Sequence, residues 1–324
     1  MTLPIGMGAF GDGQPVRWRD LREYARTAEA VGFDTLLVPD HLLFRRSPPT
    51  NALQVAMEPG RIRGIWEGWT LLSALAEATS RIHLGPLVVC TGFRNPALLA
   101  KMADTLDEIS DGRLILGLGA GWHEPEYEAF GYPYDHRVGR FEEALRIIVP
   151  LLREGRVDFE GQYYRARACE LLPRGPRPGG PPILIGAQGP RMLALTARHA
   201  DIYDADYQLT PEAVTQRMGA LDAACAAVGR DPRAVSRWAG TRVAIVAADG
   251  RPEPGSAQVG PARGPVADYE VGGMRMTVRR GRPEEIEAHL GAFRATGIEH
   301  LTLSLVHPPG LRGLERIATV LQAR

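Results

Sequence analysis

The sequence predicts an α/β fold, a (β/α)8 TIM barrel in which eight parallel strands each lead into a helix. Three observations carry that prediction. Short apolar runs alternate with helix-length amphipathic segments along the chain, and eight such runs can be counted. The length, 324 residues, is too great for one small domain and suits one barrel or two modest domains. No internal repeat and no low-complexity segment competes with this reading, so residues 1–324 are taken as a single barrel domain.

The elements follow in order. Leu3 to Ala9 is the first apolar run, closed by Gly11-Asp12-Gly13. Asp20 to Val31 places Leu21, Tyr24, Ala25, Ala28 and Val31 on one helical face, and Gly32 ends it. Phe33 to Val38 is the second strand, finishing at Pro39-Asp40-His41. Residues 42–66 are irregular, with two aromatics expected to be exposed, Phe44 and Trp66; a loop this long inside a barrel reads as a lid. A helix from Trp69 to Ala78 follows.

The best-defined unit runs from Arg81 to Tyr127. Ile82 to Cys90 is a strand, and Asn95-Pro96 supplies a cap and a first-turn proline. Leu98, Leu99, Met102, Leu106 and Ile109 then recur at helical spacing until Asp111-Gly112. Arg113 to Leu118 is the next strand, breaking into Gly117, Gly119 and Gly121. A right-handed crossover makes these two strands parallel, so Val88 to Thr91 and Gly119 to Trp122 emerge on one rim, where barrels place ligands.

The second half repeats the alternation. A helix spans Gly139 to Arg153, and residues 155–182 form an inserted hairpin plus a Pro/Gly-rich connector. Strands are expected at Ile183 to Ala187, Asp201 to Ala205, Arg242 to Ala248 and His300 to Val306. Helices are expected at Pro190 to His199, Pro211 to Val228, Pro283 to Ala295 and Leu311 to Leu321. Residues 249–273, rich in Gly and Pro without a period, read as a mobile insertion.

Bulk properties exclude several classes. Lys plus Arg and Asp plus Glu balance at 38 each, so no global field draws nucleic acid or an anionic membrane. The three cysteines, Cys90, Cys169 and Cys225, are far apart and lack CxxC spacing, which indicates neither a disulfide framework nor zinc. No leader-like or membrane-length apolar run occurs, and a cytoplasmic protein is expected. Metal motifs of the HxH or HExxH kind and a GxSxG elbow are also missing, so no metal site is expected.

Chemistry-bearing residues gather where strands end. Asp40-His41 follows the second strand; His41 could transfer a proton near neutral pH with Asp40 fixing its tautomer, or serve as a structural histidine. Ile185 to Arg191, IGAQGPR, joins a strand to a helix N-terminus, which suits phosphate and equally suits an ordinary turn. Trp122-His123-Glu124 offers a ring-packing aromatic and an acid, or a loop closing a core. Arg45, Arg46, Arg61, Arg63, Arg94 and Arg191 read mainly as solvated surface, with some available to an acidic ligand tail.

Four stretches together, GFDTLLVPDHLL, WTLLSALAEATSRIHLGPLVV, NPALLAKMADTLDEISDGRLILGLGAGWHEPEYEAFG and PPILIGAQGPRMLALTARHADIY, resemble the luciferase-like family, most closely its branch using the deazaflavin coenzyme F420. The resemblance is strongest from Gly32 to Asp201. It implies a luciferase-like barrel that binds F420 for hydride transfer or reduced FMN for monooxygenation. By position it puts Asp40 and His41 along the ring, Leu87 and Val88 in a bulge under it, and Cys90, Ala120 and Gly121 at its edge. That bulge is a non-prolyl cis peptide in F420 members. Gly186, Ala187, Gln188 and Gly189 would hold the phosphate, with His41 and Trp122 at the reaction centre. The sugar-phosphate dehydrogenases of the family carry a glutamate where Trp122 stands, and the single lysine here, Lys101, lies on a helix.

The resemblance thus implies an oxidoreductase acting on a small organic substrate, and a homodimer. The alternatives are an FMNH2-dependent monooxygenase fed by a partner flavin reductase, and a flavin-binding protein without turnover.

Overall fold

The computed structural model describes residues 1–3, 16–45, 55–57, 63–208, 210–246, 265–271, 274–307 and 310–322. The expected strand at Leu3 to Ala9 therefore lies mostly outside the described residues, as do most of the 42–66 loop and of the 249–273 insertion.

Seven parallel strands form most of the wall. They are Thr35–Val38, His83–Pro86 continuing as Val89–Cys90, Leu116–Gly119, Ile183–Gly186, Ile202–Tyr207, Ser236–Ile245 and His300–His307. Each pairs in parallel with the next. The start of the chain closes the ring. Thr2 N–H donates to Leu303 O at 3.0 Å, while Leu3 N–H donates to Leu37 O and Leu37 N–H to Met1 O, both at 2.8 Å. An eight-staved barrel is the result, in which each described stave has a neighbour on both sides.

The helices wrap the wall in order: α1 Trp18–Ala30, α2 Gly68–Ala78, α3 Pro96–Ile109, α4 Glu124–Phe130, α5 Arg137–Glu154, α6 Pro190–His199, α7 Pro211–Ala227, α8 Pro283–Arg294 and α9 Gly310–Gln322. Local chemistry sets their ends. The Asn95 carboxamide accepts from Ala97 and Leu98 N–H ahead of Pro96, and α3 stops where Asp111 and Gly112 take positive φ. Strand alternation divides the core. Leu37, Ile115, Leu184, Ile202 and Trp238 point into the barrel with Leu87 and Val88 packed on them, and the larger cluster joins the outer faces to the helices. No helix among the described residues is long and apolar enough to cross a membrane.

Some expectations need correction. Phe44 is buried, at 8% exposure, while Trp66 is exposed at 48%. The inserted hairpin pairs Arg156–Glu160 antiparallel with Arg165–Glu170. Part of the aperiodic stretch is ordered β structure: Val266–Val271 pairs antiparallel with Met274–Gly281, which also pairs with Val55–Met57 and with Ser236–Ile245. VADYEV and MRMTVRRG are too polar to show an apolar period; the second is held by partners distant in sequence, Val55–Met57 and Ser236–Ile245, and the first by the second.

Candidate active site at the carboxyl rim

Asp40 ends the second stave and is almost fully buried. Its carboxylate accepts from Cys90 N–H at 2.9 Å and from both terminal nitrogens of Arg94, at 2.7 and 2.9 Å. Arg94 also donates to Glu67 at 2.6 Å, and Glu67 caps α2 by accepting from Trp69 and Thr70 N–H. Arg94 is thus no surface arginine, contrary to the sequence reading. It spans two carboxylates in a bidentate, charge-assisted geometry.

Asp40, so engaged, does not fix the tautomer of His41. Glu126 does. Its Oε1 lies 2.8 Å from His41 Nδ1, and its Oε2 accepts from Leu42 N–H at 2.9 Å. Glu126 is the third residue of α4, 2% exposed. A buried carboxylate on Nδ1 keeps the neutral imidazole proton there, which leaves Nε2 for a ligand. His41 sits in an aromatic cluster, with Phe44 at 4.4 Å and Trp122 edge-on at 5.4 Å between ring centroids. His123 accepts from Arg45 N–H at Nε2, and burial holds its pKa below the usual histidine value. Trp122 itself is 41% exposed, free to cover a ligand.

Beside this cluster lies a close-packed seat. Tyr127 Oη donates to Ala120 O at 3.0 Å and is 2.8 Å from Cys90 Sγ. Burial pushes the Cys90 thiol up to about 12, so it stays protonated. Gly121 has φ +74, and a Cβ there would fall 1.9 Å from Tyr127 Oη and 2.6 Å from Cys90 Sγ. Only glycine fits. The third stave breaks at Leu87-Val88, whose peptide bond is cis, and Leu87 N–H is tied to Val38 O at 2.8 Å. A Cβ at Gly119 would meet Val88 Cγ2 at 2.5 Å, so Val88 rests on a wall stripped of side chains.

On the other side of the mouth, Gly186 to Gly189 leads into α6. Ala187 turns into the outer core, and Gln188 Nε2 donates to Asp206 Oδ2 at 3.0 Å. Next to this turn is a cavity of about 480 Å³ whose lining includes Arg137, Arg146 and Arg191 together with the acids Glu142 and Glu143 and with Tyr163. Arg137 Nε also donates to Gly121 O at 3.2 Å, linking the cavity to the seat. Arg191 pairs with Glu142 at 2.7 Å.

The structure brings His41 and Trp122 together, sets Asp40, Cys90, Ala120 and Gly121 beside them, and leans Val88 toward Gly186. Sequence reasoning missed Glu126, Tyr127, Arg137 and Tyr163. Only the HEPEY run, with two acids at helix-start spacing, could have pointed to the first.

Fold and rim together define a (β/α)8-barrel protein with a candidate ligand site at the carboxyl end of its strands. Residues 1–251 match the luciferase-like monooxygenase family, and the chain belongs to that family of enzymes. It is 36% identical over 239 residues to a phthiodiolone/phenolphthiodiolone dimycocerosates ketoreductase of Mycobacterium sp. (strain JLS), a match covering 69% of this chain and 62% of that one. It is 34% identical over 189 residues to an F420-dependent glucose-6-phosphate dehydrogenase of Amycolatopsis mediterranei (strain U-32), covering 56% and 52%. Among solved structures, an F420-dependent secondary alcohol dehydrogenase in complex with an F420-acetone adduct superposes with TM-score 0.71 at 18% identity, covering 94% of each chain.

Proposed function

We propose that this chain is an oxidoreductase that passes a hydride between coenzyme F420 and a small organic substrate. The observation that carries the reading is the seat: Val88, Cys90 and Gly121 form a side-chain-poor floor with a tautomer-fixed histidine at its edge. The relatives whose names include F420 or a ketone reduction support it. The residues present fit a flat tricyclic ring with an anionic tail. The cradle at Gly119 and Gly121 is one a Cβ would fill, and in the cavity next to α6 Arg191 offsets Glu142 while Glu143 is taken up by three backbone N–H groups, which leaves Arg137 and Arg146 as the cations for an anionic tail.

When bound, the deazaflavin supplies or accepts the hydride. The chain's residues do the rest. Val88, Ala120 and Gly121 would hold the ring, and Gly186 to Gly189 with Arg137 and Arg146 would hold its tail. Trp122 and Phe44 would exclude water from the reacting face. His41 would take the proton of a substrate hydroxyl at Nε2, or return it to a carbonyl, with Glu126 stabilising the imidazolium that forms.

The second reading, a monooxygenase using FMNH2 from a partner reductase, is favoured by the family description itself. Titrating the apoprotein with F420 and with FMN, and following oxygen uptake with each reduced cofactor, tests both. F420 binding without oxygen uptake supports the first. FMN binding with substrate-linked oxygen consumption overturns it. A homodimer is part of the proposal, checked by light scattering.

A further inference from the structure

Asp204 is a buried acid for which the site described above has no use. It lies on strand Ile202–Tyr207, where Ile202 joins the inner cluster while Tyr203 and Ala205 pack outward with the helices. Strand alternation therefore turns Asp204 inward, one step nearer the mouth than Ile202. Its register partners are Gly186 on one side and Trp238 on the other. Gly186 faces the seat: a Cβ there would meet only Val88, at 3.6 Å. Asp204 thus stands one strand beyond Gly186, beside the floor assigned to the ring.

Its hydrogen bonding is incomplete. Oδ1 accepts from Asp206 N–H at 3.1 Å, and no described residue bonds to Oδ2, although the residue is only 4% exposed. Nearby charges do not neutralise it. Gly186 and Trp238 carry none. Asp206 is a further acid, already engaged by Gln188 and Tyr207 N–H. Arg242, on the neighbouring strand, lies over the Tyr207 ring at 4.3 Å, and Arg217 of α7 donates to Gln188 O. Burial, reinforced by Asp206, pushes the carboxyl up to about 7.

We propose that Asp204 is a ligand-binding group of the barrel floor, holding the bound ring as a neutral carboxylic acid that donates from Oδ2. It would take a ring carrying a hydrogen-bond acceptor, a carbonyl oxygen or unprotonated nitrogen. This rests on the reading of the mouth as a ring site. Covering an ionised, unpaired carboxylate with a flat apolar body removes its last solvation, which is far costlier than accepting a proton. Above neutral pH, binding therefore draws one proton from solvent onto Asp204, with no electron transfer and no covalent change. Each pH unit above the titration point costs about tenfold in affinity.

The test is calorimetric titration of the apoprotein with F420 and, separately, with FMN, at pH 6 and pH 8, each in two buffers of unlike ionisation heat. Wild-type should take up close to one proton per ligand at pH 8 and little at pH 6. Its affinity should weaken between the two by about tenfold more than that of Asp204→Asn, which keeps the Asp206 N–H acceptor. The ligand's own titration is common to both proteins and cancels in the comparison. Equal proton uptake and equal pH dependence in wild-type and variant would overturn the proposal. Should the variant fail to fold, infrared difference spectra of wild-type with 13C-carboxyl aspartate decide instead: a gain of protonated-carboxyl signal on binding at pH 8 is expected, and its absence refutes the idea. Failure of both cofactors to bind at pH 6 sinks the ring site and this inference together. Binding without linked protonation sinks only the inference.

Discussion

Asp40 accepts three hydrogen bonds on the early side of the mouth, and Asp204, on the late side, accepts one. Both are buried acids at the ends of barrel strands, yet their surroundings differ in kind. Around Asp40 the charges are spent on one another, through Arg94 and Glu67, and the neighbouring His41 is clamped by Glu126. Around Asp204 the backbone supplies one donor and the described side chains supply none. A saturated polar network fixes geometry, while an unsaturated one leaves bonding capacity for a ligand. The early rim thus reads as the rigid template, and the late rim as the part whose polar balance a ligand completes.

The largest expected effect breaks the early side. Arg94→Met removes the partner of a buried carboxylate and should cost about 3–5 kcal/mol in urea denaturation at pH 7. A loss under about 1 kcal/mol would mean that Asp40 is held by Cys90 N–H alone, and the contrast would collapse.

Next in size is the late side, with opposite sign. The Asp204 carboxyl titrates at about 7 in the fold against an ordinary 3.8. A raised acid pKa contributes stability that is fully present below about pH 4 and lost as pH rises to about 7, because the unfolded chain releases that proton first. Asp204→Asn lacks this loss. Relative to wild-type, its stability should improve by about 4 kcal/mol between about pH 4 and pH 8. Parallel stability curves for the two proteins across that range would refute the burial argument.

These two sides were unequally legible in the sequence. The alternation of apolar runs and amphipathic helices gave the barrel, and Asn95-Pro96 and Asp111-Gly112 gave the limits of α3, because those signals are local. The resemblance named Asp40, His41, Cys90 and Gly121, but nothing local showed which carboxylate serves which cation. Asp40 is adjacent to His41 and bonds to Arg94; Glu126 is 85 positions away and bonds to His41. Such pairing is decided by which strand ends the closed barrel brings together. Asp204 was hidden for another reason: Asp201 to Ala205 reads as a strand, but only its pairing with Gly186 and Trp238 reveals that this acid points inward.

A smaller effect sharpens the early side. Glu126→Gln keeps an acceptor for Leu42 N–H but removes the charge facing His41 Nδ1, and should cost about 1–2 kcal/mol. The decisive readout is 15N chemical shifts of the imidazole. Wild-type should show one neutral tautomer, protonated at Nδ1, and the variant a mixture. An unchanged single tautomer would transfer the positioning role to the aromatic cluster of Phe44 and Trp122.

The smallest expected effect separates the two causes acting on Asp204. Burial comes first and the neighbouring Asp206 second. Asp206→Asn removes that neighbour's charge and keeps one acceptor oxygen, enough for Tyr207 N–H, while the Gln188 amide must turn to present its oxygen to the new NH2. Introduced both into wild-type and into Asp204→Asn, it tests which cause dominates. If burial does, the pH-linked stability difference between those two backgrounds should shrink by less than about 1 kcal/mol. If the difference disappears instead, the late rim is a coupled pair of acids rather than one desolvated group. The proton taken up on ligand binding would then belong to the pair. Because Asp206 is tied to Gln188 on the loop before α6, that outcome would also connect the barrel floor to the turn proposed for the anionic tail.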